Sequence, residues 1–215
     1  MSAIPHEILN RVRDCKIVPV ITLSDVDHAL PLADALMAGG VDFLEVTLRT
    51  SSALACIEKM ASSGVDAMVG AGTITRPEDV TAAKNAGARF LVSPGATPAL
   101  IPELQAFDGP VFPGVASVSE AMIMRDHGFT VQKFFPAEPA GGPGFLKSIA
   151  GPMPDIRFIP TGGISQANAP GYLELENVIA VGGSWIVPNA LIAEKDWAGI
   201  TKLCLDARQR LESVA

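Results

Sequence analysis

At 215 residues with 48% apolar and 18% charged side chains, the chain is excluded from the disordered class and is long enough to bury a core of its own. A net charge of −7 argues against nucleic acid or an anionic membrane as partner, so any anion held here needs a local site. Cys15, Cys56 and Cys204 are scattered and odd in number, which excludes a disulfide framework and reads as reduced thiols of a cytoplasmic protein.

Residues Met1 to Arg13 are polar and amphipathic, unlike a signal peptide, and no apolar run reaches the ~20 residues of a membrane helix. In chain order the spacing then predicts strands over Ile17–Leu23, Phe43–Leu48, Met68–Ala71 and Phe90–Pro94. Four more follow over Val111–Val115, Thr130–Phe135, Arg157–Pro160 and Val178–Val181. Their near-continuous apolarity, as in Val18-Pro-Val-Ile-Thr-Leu23, suits parallel strands buried on both faces. Helices are expected from near Ser24, Ser51, Pro77, Thr97, Ser117, Gly142 and Ser165, with a final one over Asp196–Leu211. Pro31 falls in the first turn of its helix or kinks it. Glycines in Met37-Ala-Gly-Gly40, Ser63-Gly64 and Ala86-Gly87 are expected helix stops.

Strands alternating with helices define an α/β protein with a parallel sheet. The economical closure is a single (β/α)8 TIM barrel with an extra N-terminal helix. Residues 1–215 then form one domain: an N-terminal helix at 1–16, barrel strands across 17–185 and a C-terminal helical segment at 186–215. An open doubly wound sheet is the rival, but no Gly-x-Gly-x-x-Gly follows the first strand. In a barrel the chemistry belongs at the C-terminal ends of the strands.

The second strand reads Phe43-Leu-Glu-Val-Thr-Leu-Arg49. Its period of two puts Glu45, Thr47 and Arg49 on one face and Leu44, Val46 and Leu48 on the other. Arg49 presents a planar fork that matches a carboxylate, and Glu45 lies deeper, available for proton transfer. In the sixth strand Lys133 and Phe135 share the inward face. Burial strips the amine of hydration and disfavours its charged form, which makes Lys133 a candidate nucleophile for carbonyl substrates. The bland reading of the same residues is an internal Glu–Lys or Glu–Arg pair. The other lysines, Lys16, Lys59, Lys84, Lys147, Lys195 and Lys202, read as solvated.

The third strand ends in Gly70-Ala-Gly-Thr73, the fourth in Ser93-Pro-Gly95 and the fifth in Pro113-Gly-Val115. Gly-Gly turns follow in Pro160-Thr-Gly-Gly-Ile164 and Val181-Gly-Gly-Ser-Trp185. Bare amides there, near a helix N-terminus, suit a phosphate. His6, His28 and His127 fall on helices or their ends and no Cys/His cluster has ligand spacing, so no metal and no cofactor is expected. The residues alone leave three functions open. One is an aldolase, one is a sugar-phosphate isomerase or epimerase without a covalent intermediate, and one is a non-catalytic phospho-ligand binder.

Taken together, Leu44-Glu-Val-Thr-Leu-Arg49, Gly70-Ala-Gly-Thr73, Phe112-Pro-Gly-Val115, Lys133-Phe-Phe-Pro-Ala-Glu138, Pro160-Thr-Gly-Gly-Ile164 and Gly182-Gly-Ser-Trp185 resemble the 2-keto-3-deoxy-6-phosphogluconate (KDPG) and 4-hydroxy-2-oxoglutarate aldolase family. The resemblance runs from about Ile17 to the C-terminal helix. The loop Pro139–Gly144 matches less closely. It implies a class I aldolase, a lyase with Lys133 as Schiff-base lysine and Glu45 as general acid/base. Arg49 and Thr73 map to a pyruvate carboxylate site, and Pro94 and Phe135 to its lining. Thr161, Gly162, Gly163, Gly183 and Ser184 map to phosphate and hydroxyl contacts. A homotrimer serving the Entner–Doudoroff route is implied as well.

Overall fold

The computed structural model describes residues 4–212. Helix α1 (His6–Cys15) precedes β1 (Ile17–Ile21), with Lys16 at φ 56° turning the chain between them. Then come α2 (Ala29–Ala38), β2 (Phe43–Thr47), α3 (Ala53–Ser62), β3 (Met68–Gly72), α4 (Pro77–Asn85), β4 (Leu91–Val92) and α5 (Ile101–Ala106). The second half runs β5 (Val111–Phe112), β6 (Gly114–Val115), α6 (Val118–Asp126), β7 (Val131–Phe134), α7 (Gly142–Ala150), β8 (Arg157–Pro160), α8 (Ala169–Leu173), β9 (Val181–Gly183), α9 (Asn189–Glu194) and α10 (Trp197–Glu212).

All strand pairings are parallel. One sheet has the order β5-β4-β3-β2-β1-β9 and the other β6-β7-β8, and bridges Phe158–Val178 and Thr161–Gly182 connect the end of β8 to the segment of β9. Strands β1 to β5 are neighbours in chain order, without the reversal of a doubly wound sheet. Every residue of β2 and β3 is buried, as expected for strands covered on both faces.

Local expectations change in several places, among them the helix expected from near Thr97, which begins only at Ile101. The fifth strand is not continuous: Pro113 has no N–H to donate, so β5 pairs with β4 and β6 with β7. The last strand lies later than Val178–Val181, because the glycines themselves form it, in register Ile17–Val181, Val18–Gly182 and Pro19–Gly183. A side chain at Gly182 would strike Thr161 and one at Gly183 the Trp185 ring, which is why strand residues there lack one. The helix expected from Ser165 begins only at Ala169. Before it, Asn168 Oδ1 accepts from the Ser165 amide at 2.7 Å and its Nδ2 donates to Gly163 O at 3.0 Å, folding a turn instead.

Other signals hold. The chain after Ser24 forms a short 3-10 turn, Val26–His28, on the Asp25 side chain, and Pro31 then sits in the first turn of α2, where no N–H is needed. The expected helix-ending glycines Gly40, Gly64 and Gly87 all take positive φ. Segment 186–212 resolves into α9 and α10. The three cysteines are unpaired and buried, and burial pushes the Cys204 thiol up to about 12. No described helix is long and apolar enough to cross a membrane.

Candidate active site

Alternation along β7 sends Gln132 and Lys133 to opposite sides. The Gln132 amide donates to Ala121 O and Phe129 O at 3.0 and 2.9 Å, anchoring the outer side of β7. Lys133 therefore points inward and is 4% exposed. Its backbone is fixed by the β6 and β8 registers, and its N–H donates to Pro113 O at 2.9 Å. In β2, Leu44 and Val46 belong to the apolar core while Glu45, 2% exposed, reaches the same interior. Lys133 Nζ lies 3.4 Å from Glu45 Oε1.

Apolar surface surrounds this pair. Phe43 and Phe90 stack at 4.1 Å, and Phe112 meets them edge-on at 6.0 and 6.1 Å. With Val18, Val92, Ile159 and Thr161 these rings and the pair leave a cavity of only ≈ 10 Å³, about one water in size. Lys133 Nζ also sits 5.3 Å from the centre of the half-buried Phe135 ring, in cation–π range. On the remaining side Gly72 gives the carboxylate room, since a Cβ there would collide with Glu45 Oε1. A low-dielectric shell makes each electrostatic contact within it stronger than in water.

Arg49 lies just beyond β2, is exposed, and donates from Nε to Thr73 Oγ1 at 3.1 Å. Thr73 has φ 61°, a left-handed conformation that costs a β-branched residue energy. The turn thereby aims its hydroxyl at the guanidinium. Thr47, expected on the same face, is fully buried and ties β2 to the end of β1 through Ile21 O at 2.8 Å. Pro94 is half-buried and, with Phe135, Gly95, Val115 and Ala116, lines a cleft of ≈ 110 Å³.

Thr161 belongs to the wall of the Lys133 cavity, 6% exposed. Beyond it Gly162 and Gly163 take φ 100° and 80°. Their carbonyls accept from Glu138 N at 3.1 Å and Asn168 Nδ2 at 3.0 Å, while their own amides donate to no protein acceptor among the described residues. Gly183 is buried within β9, not in a turn, and Ser184 follows it, exposed. α8 does not begin directly after the turn but at Ala169, and its N-cap residue Asn168 ties back to the turn through Gly163 O.

The structure thus brings Lys133, Glu45, Phe135 and Thr161 around one interior. It pairs Arg49 with Thr73 at the ends of β2 and β3, and sets Gly162 and Gly163 beside Gly182–Ser184 at the ends of β8 and β9. Two features lie outside the expected set: the floor of Phe43, Phe90 and Phe112, and a hydrogen bond from Tyr172 to Glu138. Phe43 shares the period-two face of Glu45, which is the signal that could have revealed it. Among the described residues no three His, Cys, Asp or Glu side chains gather as metal ligands.

Parallel strands that carry a buried amine–carboxylate pair in their interior define the class, an α/β protein with a lysine-centred site. The profile of the family described as "Aldolase: KDPG and KHG aldolase" matches residues 8–203. The chain belongs to this KDPG and KHG aldolase family. It is 45% identical to a 2-dehydro-3-deoxy-phosphogluconate aldolase of Pseudomonas aeruginosa over 198 residues, 92% of this chain and 90% of that one. It is 46% identical to the KHG/KDPG aldolase of Escherichia coli K12, covering 89% and 90% of the two chains. Among solved structures, KDPG aldolase of Legionella pneumophila, with pyruvate captured at low pH as a covalent carbinolamine intermediate, superposes with a TM-score of 0.90 at 45% identity, covering 93% of this chain and 97% of that one. The 2-keto-3-deoxy-6-phosphogluconate aldolase of Zymomonas mobilis ZM4 with 3-phosphoglycerate gives 0.86 at 42% identity, covering 95% and 96%.

Proposed function

We propose that this protein is a class I aldolase. It cleaves 2-keto-3-deoxy-6-phosphogluconate to pyruvate and glyceraldehyde 3-phosphate through a Schiff base on Lys133. It also splits 4-hydroxy-2-oxoglutarate into pyruvate and glyoxylate. The observation that carries this reading is the buried Lys133–Glu45 pair, 3.4 Å apart, inside the parallel strands of a chain from this family. The covalent carbinolamine of the Legionella pneumophila relative supports the same carbon–nitrogen chemistry here.

Lys133 gives up its proton to reach the nucleophilic state, and Glu45 is an acceptor at hydrogen-bond range. The neutral amine adds to the C2 ketone to give a carbinolamine, whose hydroxyl leaves as water with the proton Glu45 took from Lys133, giving an iminium and restoring the Glu45 carboxylate. Arg49, steered by Thr73, holds the carboxylate so that C2 faces the amine. Glu45 takes the C4 hydroxyl proton, the C3–C4 electron pair moves into the iminium, and the aldehyde departs. The pyruvate enamine is protonated at C3 with help from Glu45, and water releases pyruvate from Lys133. Pro94 and Phe135 keep the reacting carbons in apolar surroundings. Thr161 meets a substrate hydroxyl. Gly162, Gly163, Gly183 and Ser184 receive the phosphate. No cofactor enters these steps.

We assign residues 1–215 to one domain whose sheets close as a (β/α)8 barrel behind the N-terminal helix. Support comes from the β8–β9 bridges on one side and from Pro113, which joins β5 to β6, on the other. We further assign the protein to the cytoplasm as a homotrimer, as the family implies. Light scattering should return three times the 22.4 kDa chain mass. A single-chain mass at micromolar protein would refute the trimer.

The chemistry is tested by mixing the protein with pyruvate and borohydride, then mapping the modified peptide by mass spectrometry. The expected result is one reduced pyruvate adduct, on Lys133. Folded protein without an adduct would overturn the Schiff-base mechanism and return the isomerase reading, with Glu45 as its base.

A further inference from the structure

We propose that Glu138 and Tyr172 act together as a positioning pair that keeps the Gly162–Gly163 turn open to the substrate phosphate. The inference rests on the aldolase reading above for the identity of that phosphate.

Glu138 follows β7 and continues its pairing with β8 beyond the strand ends: Ala137 N donates to Thr161 O at 2.8 Å and Glu138 N to Gly162 O at 3.1 Å. A trans peptide points its C=O and the following N–H in opposite directions. Tying Gly162 O back to the Glu138 amide therefore aims the Gly163 N–H to the opposite side of the turn. Asn168, bonded to Gly163 O at 3.0 Å, does the same for the N–H of Ile164. None of these amides has a protein acceptor among the described residues.

The Glu138 side chain packs directly against this turn, because a Cβ at Gly163 would lie 2.6 Å from Glu138 Cγ. An exposed carboxylate so close to unpartnered amides has two ways to spoil an anion site. It can swing over and accept their hydrogen bonds, or it can repel a dianion at close range. Tyr172 prevents the first and limits the second. It is the only tyrosine of the chain, it is fully buried on α8, and its hydroxyl donates to Glu138 Oε1. Burial and the adjacent carboxylate push its phenol upward, so it remains a donor throughout the physiological range. Gly142, at the start of α7, lies beside the pair and takes φ 58°, a left-handed conformation that favours glycine.

The experiment measures inorganic phosphate affinity by isothermal titration for the full chain, Tyr172→Phe, and Tyr172→Phe/Glu138→Gln, with steady-state kinetics on both substrates. Tyr172→Phe should bind phosphate about tenfold more weakly, the effect of one charge-assisted hydrogen bond. Its KM for 2-keto-3-deoxy-6-phosphogluconate should rise similarly. Its kcat, its KM for unphosphorylated 4-hydroxy-2-oxoglutarate and its rate of pyruvate trapping should stay within about twofold. The double variant, with no carboxylate to swing, should recover phosphate affinity. A purely structural role for Tyr172 would weaken both substrates together and gain nothing from the second change. Equal phosphate affinity in wild type and Tyr172→Phe, or a double variant no better than the single one, overturns the proposal. Loss of the pyruvate adduct in wild type would instead strike the aldolase reading, leaving the phosphate titration to stand by itself.

Discussion

Lys133→Ala will form no borohydride-stable adduct with pyruvate and will lose at least about 10⁴-fold in kcat/KM, because the covalent route disappears with the amine. No other lysine can take over. Lys84, Lys147, Lys195 and Lys202 are exposed, Lys59 pairs with Asp27 at 2.9 Å, and Lys16 donates to Leu211 O at 2.9 Å. The substitution also leaves Glu45 as a buried carboxylate without its counter-charge, a change that typically costs about 3–5 kcal/mol. A lower melting temperature is therefore part of the expected result. Lys133→Met, which fills the space and removes the nucleophile, separates lost chemistry from lost stability. Circular dichroism must show both variants folded at the assay temperature. An adduct on either folded variant, or turnover within tenfold of wild type, would remove Lys133 from the mechanism.

Glu45→Gln is expected to keep the pyruvate adduct while kcat falls by about 10²–10⁴, the usual contribution of a general acid–base. Glutamine fits the space opened by Gly72 and can still accept from Lys133 Nζ, but it cannot take the C4 hydroxyl proton. Rapid quench with borohydride should show the imine accumulating before cleavage. The bond-breaking step, not capture of the ketone, then limits the rate. Wild-type kcat in this variant would assign the proton transfer to another group, and complete loss of the adduct would make Glu45 essential to Schiff-base formation.

Period-two alternation was enough to read the central pair. Glu45 and Lys133 each stand between residues of outward-facing type, and a strand has only two faces. Arg49 and Thr73 were legible as neighbours because they close consecutive strands that pair in register from Phe43–Met68 to Thr47–Gly72. The left-handed backbone of Thr73 was not, since nothing in a threonine announces positive φ. Pro113 could have been read as a break in the fifth strand, and its missing N–H is the reason. The glycines of β9 were misread as a turn because a glycine pair signals both a turn and a close approach, and only the packing of Thr161 and Trp185 decides between them. Tyr172 and Glu138 are 34 positions apart, with α7 and β8 between them, so no local pattern links them.

The rings of Phe43, Phe90 and Phe112 are also a statement about traffic. They are almost wholly buried, and the gap they share with Lys133 holds about one water, so on their side the rings close the interior. A molecule joined to the amine can approach and leave only past the strand ends. In the proposed Schiff-base mechanism, the aldehyde half, released farther from Lys133 than the carbons bonded to it, stands between the tethered three-carbon fragment and solvent. Departure is a queue: the aldehyde goes first and pyruvate last. Run backwards, the same corridor admits pyruvate before any aldehyde can find its place.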